Sequence, residues 1–432
     1  MAPDHKNRRL DINLNLNVRG LKPSATLAIN ELCEQLRREG REVYRLGLGQ
    51  SPFPVPEVVV EELRVHAFEK DYLPVKGLWQ LRRSVADYYR RTQGLSRTWQ
   101  SIIIGPGSKE LMFLLQLVYY GDLVIPTPSW VSYAPQARII GRQVQWLDTR
   151  AENDWRLMPD ELESLCAEDP TRPRIVVLNY PSNPTGATYS AERLKELAQI
   201  ARAYKVVLLS DEIYGELNHR GQHVSVARYY PEGTIVSGGL SKWCGAGGWR
   251  LGTFSFPPTL HWLLDAMAAA ASETFTSTSA PIQFAAVRAF SGGTDLERYL
   301  WNARKILGAL GRWSARQLRT AGIAVSAPRG GFYLFPDFTA CPGLEERMFR
   351  DSEVLCERLL EETGVAILPG RAFGRPPVEL TARLAYVDFD GARALTAAAD
   401  LPAGTMLEET FLREYCAPVV KAVDRICDWA GS

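Results

Sequence analysis

The chain has no long hydrophobic run, no strong net charge and no ordered cysteine pattern. Its 432 residues carry 50 Lys and Arg against 49 Asp and Glu, for a net charge of +1. This balance creates no field that would favour nucleic acid or a membrane surface as a partner. The longest apolar run, 111–120, is too short to span a bilayer and predicts a buried helix. Because residues 1–20 lack the apolar core of a signal peptide, we expect no secretory signal there.

The sequence also shows no cysteine or histidine spacing that indicates disulfides or a metal site. The seven cysteines are scattered without a CxxC pair, so no disulfide framework is indicated and the cytoplasm is the expected compartment. His219 and His223 have the spacing of a helical zinc pair, but Gly221 lies between them. We therefore predict a solvated turn there and no bound metal.

The middle of the chain alternates between short apolar runs and amphipathic stretches. The runs end in or lead into turns of Gly, Pro, Asn or Asp, and they cover 101–104, 123–125, 143–147, 175–178, 206–209, 234–236 and 252–256. Continuous apolar strands separated by helices indicate an α/β fold, with a mainly parallel sheet covered by helices on both faces. In such sheets a ligand lies beyond the carboxyl ends of the strands.

Flanking segments predict a second, smaller α+β unit. Apolar residues at helical spacing predict a helix over 21–40, and a Pro-rich segment follows it. Later come a long helical stretch (296–320), short strands near 332–335 and 382–387, and a last helix (408–429). The resulting division is an N-terminal arm (1–20), the first part of a small domain (21–55), a large domain (56–309) and the rest of the small domain (310–432). The Ala-rich segment 391–406 is interpreted as a helix-loop insertion without evident chemistry.

The richest concentration of chemically useful side chains surrounds Lys242. This lysine follows a predicted strand in a turn rich in Gly and Trp, and Arg250 comes eight positions later. Asp211 and Tyr214 follow one earlier strand, and Asn183 follows another. An amine, a carboxylate, a phenol, an amide and a guanidinium at strand ends are the groups that a pyridoxal phosphate (PLP) site requires. In this interpretation the amine forms the Schiff base, the carboxylate faces the pyridine nitrogen and the guanidinium binds the phosphate.

A second anion-binding signal lies at the turn Gly107-Ser108-Lys109, which opens a predicted helix. Free N–H groups and the helix dipole make such a terminus a ready phosphate site. The turn does not have the pattern of a nucleotide P-loop, and no Gly-x-Gly-x-x-Gly fingerprint of a Rossmann half is present. Together with Arg250 it suits one phosphate monoester. We expect contacts from the Ser108 hydroxyl, from the neighbouring amides and from Lys109.

Taken in order, these motifs resemble the class I aminotransferases of PLP fold type I, especially the bacterial aspartate and prephenate branch. The resemblance covers most of the chain, and it extends to Lys22-Pro-Ser-Ala-Thr26, Gly49 with Pro52-Phe53, Tyr72 with Gly77 and Leu81-Arg82, Trp130-Val-Ser-Tyr133, Gly331-Phe-Tyr333 and Arg383-Leu-Ala-Tyr386. Three stretches depart from the family pattern: Gly-Pro-Gly-Ser-Lys in the phosphate turn, Ala-Gly-Gly-Trp after the lysine, and the extra segment 391–406. These departures bear on the substrate more than on the cofactor.

The resemblance implies roles around the cofactor. Tyr214 and Asn183 would contact its phenolic oxygen, where hydrogen bonds stabilise negative charge. Trp130 would stack on the pyridine face. Tyr72 would reach the phosphate of a neighbouring subunit, which implies a homodimer with shared active sites.

The resemblance also implies roles around the substrate. Arg383 would bind the α-carboxylate in a bidentate arrangement. The backbone of Gly49 would line the same pocket, which Trp130 and Asn183 would border. Lys22 would lie near a distal carboxylate of the substrate.

The expected activity is transfer of the amino group of an L-α-amino acid to a 2-oxo acid, with Lys242 moving the Cα proton. The same residues would serve a PLP-dependent lyase or cyclase. A non-catalytic module that binds PLP or an amino acid, and a nicotinamide oxidoreductase, are further alternatives. The substrate pair stays open, since Lys22 hints at a dicarboxylate whereas Tyr133, Trp243 and Phe332 would suit an aromatic or aliphatic side chain.

Overall fold

The computed structural model describes residues 13–347, 349–402 and 404–431. Its helices are α1 Ala25–Arg38, α2 Glu57–Val65, α3 Trp79–Gln93, α4 Ser108–Val118, α5 Tyr133–Ile139, α6 Pro159–Glu168, α7 Ala191–Ala203, α8 His261–Ser272, α9 Ala280–Ser291, α10 Thr294–Thr320, α11 Ser352–Thr363, α12 Gly391–Ala399, α13 Glu409–Tyr415 and α14 Ala417–Gly431. Its strands are β1 Tyr44–Arg45, β2 Ile102–Gly105, β3 Asp122–Thr127, β4 Val144–Asp148, β5 Arg174–Asn179, β6 Val207–Asp211, β7 Thr234–Gly239, β8 Gly252–Ser255, β9 Tyr333–Leu334, β10 Val365–Ala366, β11 Leu368–Pro369 and β12 Ala382–Ala385. The first twelve residues of the predicted N-terminal arm lie outside the described residues.

A seven-stranded sheet forms the centre, in the order β2-β8-β7-β6-β5-β3-β4. The strands from β3 to β7 pair in parallel, and β8 pairs antiparallel with both β7 and β2. Each of the seven apolar runs in the sequence forms one of these strands. The prediction of a mainly parallel sheet is therefore confirmed.

Both faces of this sheet are covered because its strands are apolar on both sides. Ile175 and Val177 of β5 pack with α4, α5 and α8, whereas Val176 and Leu178 of the same strand pack with α6 and α7. Side chains alternate between the faces of a strand, so this split is the expected result of burying a continuous apolar run. The predicted buried helix at 111–120 is α4, most of whose apolar side chains lie in the core.

A second group of strands lies in the terminal parts of the chain. Strand β12 is antiparallel to both β11 and β9, and β1 pairs in parallel with β10. Helices α11 and α14 pack against this group, and α1 contacts β1 and β11. Helix α10 continues through residue 309, so the proposed boundary at this residue falls inside a helix. The division into domains stays a prediction.

Two terminal elements differ in detail from the sequence interpretation. The last predicted helix is two helices, α13 and α14, separated at Cys416. The segment 391–406 begins as α12, which Asp390 caps by accepting a hydrogen bond from the backbone of Arg393 and which packs on α10. Among the described residues, no helix combines the length and the apolarity that crossing a bilayer requires.

Candidate active site

The register of the central sheet brings the predicted site residues to one edge. Asn179 at the end of β5 pairs with Asp211 at the end of β6, which in turn pairs with Ser237 in β7. Parallel strands end on the same side, so the turns that follow them meet there. These turns carry Asn183 and Lys242.

Lys242 is the centre of the arrangement. Its Nζ donates a hydrogen bond of 2.7 Å to the carbonyl of Gly49 and lies 5.6 Å from the ring centroid of Tyr214. Burial lowers the pKa of this amine to about 7, and the positive charges of Arg383 and Arg250 act in the same direction. A large share of the amine is therefore neutral near pH 7, as a nucleophile or a general base requires.

Asp211 is buried beside this lysine. Its carboxylate accepts hydrogen bonds from Tyr133 at 2.6 Å and from Ser237 at 3.2 Å. Burial raises the pKa of Asp211 to about 6, and these hydrogen bonds oppose the rise. A cation opposite the carboxylate, such as a protonated pyridine nitrogen, would favour its ionised form.

Three side chains were suggested to suit an aromatic or aliphatic substrate, and the structure places them in different surroundings. Tyr133 is buried against Asp211, and Trp243 is buried against Phe290 in the core. Their suggested role toward an aromatic or aliphatic substrate side chain stays a prediction. Phe332 lies 5.8 Å from the Lys242 Nζ, measured to the ring centroid.

Tyr214 pairs with a second tyrosine that the sequence interpretation did not select. Its hydroxyl oxygen lies 2.8 Å from that of Tyr333, and both side chains are buried. Burial raises the pKa of both hydroxyls, so both stay protonated near neutral pH. Tyr333 belongs to the motif Gly331-Phe-Tyr333, which was the available sequence signal for it.

Arg383 of β12 is buried, and one of its hydrogen-bond donors is unused. Its side chain donates to the Asn183 Oδ1 at 3.1 Å and to the carbonyl of Gly47, and it stacks between the rings of Tyr333 and Phe373. Its buried Nε has no hydrogen-bond partner among the described residues. A buried guanidinium in this condition is suited to an anionic ligand such as a carboxylate.

A tight anion cradle lies where α4 meets the end of β7 and the start of β8. Gly107 precedes Ser108, the first residue of α4, with a φ of 91°, and a Cβ at Gly107 would overlap the Arg250 guanidinium. A Cβ at Gly252 would overlap the backbone nitrogen of Ser108. Only glycine permits these approaches. No side chain caps the N-terminus of α4, so its N–H groups and Arg250 can share one phosphate.

Lys109 and Trp130 lie together beside this cradle. The Nζ of Lys109 is 5.2 Å from the Trp130 ring centroid, and the Trp130 ring is edge-to-face with Tyr133 at 5.2 Å. The residues present therefore fit PLP: a glycine cradle with Arg250 for the phosphate, Asp211 for the ring nitrogen and Lys242 for the aldehyde.

Two predicted residues do not join this arrangement within the chain. The Tyr72 side chain is 90% exposed, and Lys22 is also exposed. In the part of the chain that the structure describes, neither forms a hydrogen bond or an ion pair with Lys242 or Arg383. Their predicted roles stay predictions.

The segment around Gly221 is a turn with residues 220–222 exposed, as predicted, but the two histidine side chains contact protein groups instead of facing solvent. The Nε2 of His223 lies 2.8 Å from a Glu212 carboxylate oxygen, and the Nε2 of His219 lies 3.0 Å from the carbonyl of Gly331. Burial lowers the pKa of His219 to about 4. Within residues 13–347, 349–402 and 404–431, no group of three or more His, Cys, Asp or Glu side chains is arranged to hold a metal ion.

Comparison with known proteins agrees with this geometry. The family described as aminotransferase class I and II matches residues 41–387. Aspartate aminotransferase from Bacillus subtilis is 30% identical over 378 residues, which are 85% of this chain and 93% of that protein. Aspartate/prephenate aminotransferase from Thermus thermophilus is 33% identical over 365 residues, covering 83% and 91% respectively.

Solved structures agree as well. Thermus thermophilus aspartate aminotransferase with maleate aligns with a TM-score of 0.82 and 30% identity, over 97% of this chain and 100% of that chain. A Rhizobium meliloti aspartate aminotransferase aligns with a TM-score of 0.80 and 28% identity, over 96% and 100%. The chain therefore belongs to the aminotransferase class I and II family, within the aspartate/prephenate branch, and is a PLP-dependent aminotransferase of fold type I.

Proposed function

We propose that this aminotransferase takes its amino group from an acidic L-α-amino acid such as aspartate and passes it to a 2-oxo acid. The observation that carries the amino-acid site is the buried Arg383, whose Nε has no hydrogen-bond partner among the described residues and which suits the α-carboxylate of any amino donor. It lies beside the lysine because one loop serves both: Gly47 accepts a bond from Arg383, and Gly49 accepts one from Lys242. The names of the Bacillus subtilis and Thermus thermophilus relatives support aspartate as the donor.

In this proposal Arg383 and Asn183 bind the α-carboxylate. The guanidinium offers parallel donors to both carboxylate oxygens, and the Asn183 amide is already aligned with it at 3.1 Å. This pairing fixes the substrate so that its Cα faces Lys242. Rigid placement of the reacting atoms removes much of the entropic part of the barrier.

Lys242 is the proposed acid and base. Its depressed pKa, about 7, lets the neutral amine remove the Cα proton and the resulting ammonium return it. PLP, when bound, supplies the electron sink that stabilises the charge left on Cα. Asp211 would hold the ring nitrogen protonated, and Tyr214 and Asn183 would donate to the phenolic oxygen.

The remaining cofactor contacts are proposed for the glycine cradle. Gly107, Ser108 and Arg250 would hold the phosphate, with Lys109 adding positive charge nearby. Trp130 would cover the pyridine face and border the substrate. Its edge-to-face contact with Tyr133 supports a fixed ring orientation.

Two lysines are candidates for the distal carboxylate of an acidic substrate. Lys22 is exposed in the segment that precedes α1, and the family resemblance favours it. Lys109 lies over Trp130, which borders the proposed substrate position. Either ammonium would discriminate acidic from apolar side chains by charge.

We also propose that the enzyme is a cytoplasmic homodimer. Four exposed apolar side chains from one segment of the chain support the dimer: Val65, Phe68, Tyr72 and Trp79, which are 59%, 73%, 90% and 45% exposed. Exposed apolar patches of this kind mark interaction sites. Across such an interface Tyr72 would reach the partner's phosphate. The seven free cysteines, six of them buried, support a reducing compartment.

A donor panel tests the proposed activity. Purified holoenzyme is incubated with 2-oxoglutarate and, in turn, aspartate, phenylalanine, leucine and alanine, while glutamate is tested with oxaloacetate as the acceptor. Both oxo-acid and ammonia products are measured. We expect oxo-acid formation with kcat/KM highest for aspartate or glutamate. Ammonia release without glutamate formation would indicate elimination and contradict the proposal, and a preference for leucine or phenylalanine would contradict the acidic substrate.

A further inference from the structure

Tyr333 of β9 lies at the junction of the cofactor and substrate halves of the site. Its hydroxyl oxygen is 2.8 Å from that of Tyr214, and its ring centroid is 4.8 Å from the guanidinium carbon of Arg383. A Cβ at Gly49 would overlap the Tyr333 hydroxyl, so this hydroxyl lies directly against the substrate loop. The same loop residue accepts the hydrogen bond from Lys242.

The proposed role of Tyr214 determines which of the two hydroxyls donates the hydrogen bond between them. Either oxygen can donate in the protein alone. Tyr214 has one proton, and in the proposed function it donates that proton to the phenolic oxygen of the cofactor. Its oxygen then accepts from Tyr333. A hydroxyl that accepts a hydrogen bond becomes a stronger donor, because chains of hydrogen bonds polarise one another.

We propose that Tyr333 is a positioning residue that acts through Tyr214 and Arg383. Its hydroxyl orients and polarises the Tyr214 hydroxyl toward the cofactor, and its ring holds the Arg383 guanidinium in plane for the α-carboxylate. This inference rests on the proposed function, because it uses the role given there to Tyr214. In this proposal one buried side chain positions both the residue that contacts the cofactor and the residue that binds the substrate carboxylate.

The charged groups around this pair are already engaged elsewhere. Arg383 donates to Asn183 and Gly47, Asp211 accepts from Tyr133 and Ser237, and Lys242 donates to Gly49. The positive charges of Arg250 and Lys109 also act on Lys242. Among the described residues, no hydrogen bond joins one of these charged groups to either hydroxyl. Removing the Tyr333 hydroxyl therefore changes one bond and leaves the charge pattern in place.

The direct test is a pH titration of the absorbance of PLP bound to Lys242. The phenolic oxygen carries more negative charge once the neighbouring nitrogen loses its proton, so donors to this oxygen lower the titration midpoint. Tyr333→Phe is expected to raise the midpoint by about 0.5 to 1 pH unit, the size expected of one neutral hydrogen bond. Tyr386→Phe is the matched control. It removes a buried hydroxyl near Gly331, 3.4 Å from that carbonyl, and is expected to leave the midpoint unchanged.

A double variant separates action through Tyr214 from a general structural effect. Tyr214→Phe is expected to raise the midpoint more than Tyr333→Phe does, and adding Tyr333→Phe to it should change the midpoint no further. Additive shifts would overturn the proposed route through Tyr214. A wild-type midpoint in Tyr333→Phe, or an equal shift in Tyr386→Phe, would overturn the positioning role itself.

The ring has its own readout. Tyr333→Phe keeps the stack on Arg383 and is expected to leave the KM for the amino donor within about twofold, whereas Tyr333→Leu should raise it at least tenfold. Equal KM values for the two variants would overturn the role of the ring. The absorbance titration needs bound PLP and no turnover, so it still decides the Tyr333–Tyr214 link if the donor panel contradicts an acidic substrate.

Discussion

Tyr133 donates a hydrogen bond of 2.6 Å to Asp211, across 78 residues of sequence, and both side chains are buried. Two effects oppose each other in this pair. Burial raises the pKa of Asp211 to about 6, while the Tyr133 hydroxyl lowers it. The proposed role of Asp211 requires the ionised carboxylate. By lowering the pKa of Asp211, Tyr133 extends toward lower pH the range in which this carboxylate is ionised.

Tyr133→Phe is therefore predicted to shift the acid limb of the kcat/KM profile upward by about 0.5 to 1 pH unit. Without the donor, the pKa of Asp211 rises further and the ionised carboxylate is lost at a higher pH. The measurement is kcat/KM against pH from 5 to 9. Tyr119→Phe, a similar change at the end of α4, should reproduce the wild-type profile. An unshifted acid limb in Tyr133→Phe would show that Tyr133 does not tune Asp211.

Asp211→Asn is predicted to stabilise the cofactor-free protein at high pH while impairing catalysis. A carboxyl whose pKa is raised from 3.8 to about 6 on folding costs stability as the pH rises through that window. Above pH 6 the cost is complete, on the order of 1–3 kcal/mol, and the asparagine avoids it. Thermal unfolding of the cofactor-free protein at pH 4.5 and pH 8 checks this. We expect a gain in Tm that is clearly larger at pH 8, and none for the exposed control Asp400→Asn. A gain that is equal at both pH values would contradict the account.

Arg383→Lys is predicted to raise the KM at least 100-fold for every amino donor. Each donor has an α-carboxylate, and lysine cannot reproduce the planar pair of donors. Steady-state kinetics with aspartate and alanine measure the effect. Arg393→Lys, on the exposed face of α12, is the matched control and should behave as wild type. A loss confined to aspartate would assign Arg383 to the distal carboxylate instead.

Lys22→Ala and Lys109→Ala distinguish the two candidates for the distal carboxylate. The residue that binds this group is expected to show a loss of about tenfold or more in kcat/KM for aspartate and little loss for alanine. The same donor pair measured on both variants gives the answer. Equal losses for the two donors in one variant would refute a distal role for that lysine.

The sequence was sufficient where function depends on local patterns. Apolar runs predicted every strand of the central sheet. The turn after β5, the end of β6 and the turn after β7 bring Asn183, Asp211 and Lys242 to one place because these strands are parallel. Spacing alone located these residues, since the carboxyl ends of parallel strands share an edge.

Contacts between segments that are distant in the sequence could not be predicted from local sequence patterns. Tyr214 and Tyr333 are 119 positions apart, and only the packing of β9 against the large sheet's loops makes them neighbours. The partners of the two histidine side chains could not be predicted for the same reason. Local sequence around Gly221 indicates a turn, but Glu212 comes from the end of β6 to meet His223 in the interior. Local conformational propensity predicts the backbone of a segment but not which distant residues pack against it.

The most direct test of the account is to locate the lysine that binds PLP. The holoenzyme is reduced with borohydride, digested, and the pyridoxyl-bearing peptide is sequenced by mass spectrometry, with exposed Lys195→Ala and with Lys242→Ala treated in parallel. We predict modification of Lys242 in the wild type and in Lys195→Ala, and in Lys242→Ala neither a specific label nor transamination above about one thousandth of the wild-type rate. A label on Lys109, on Lys22 or on any other lysine, or undiminished turnover by Lys242→Ala, would contradict the central claim.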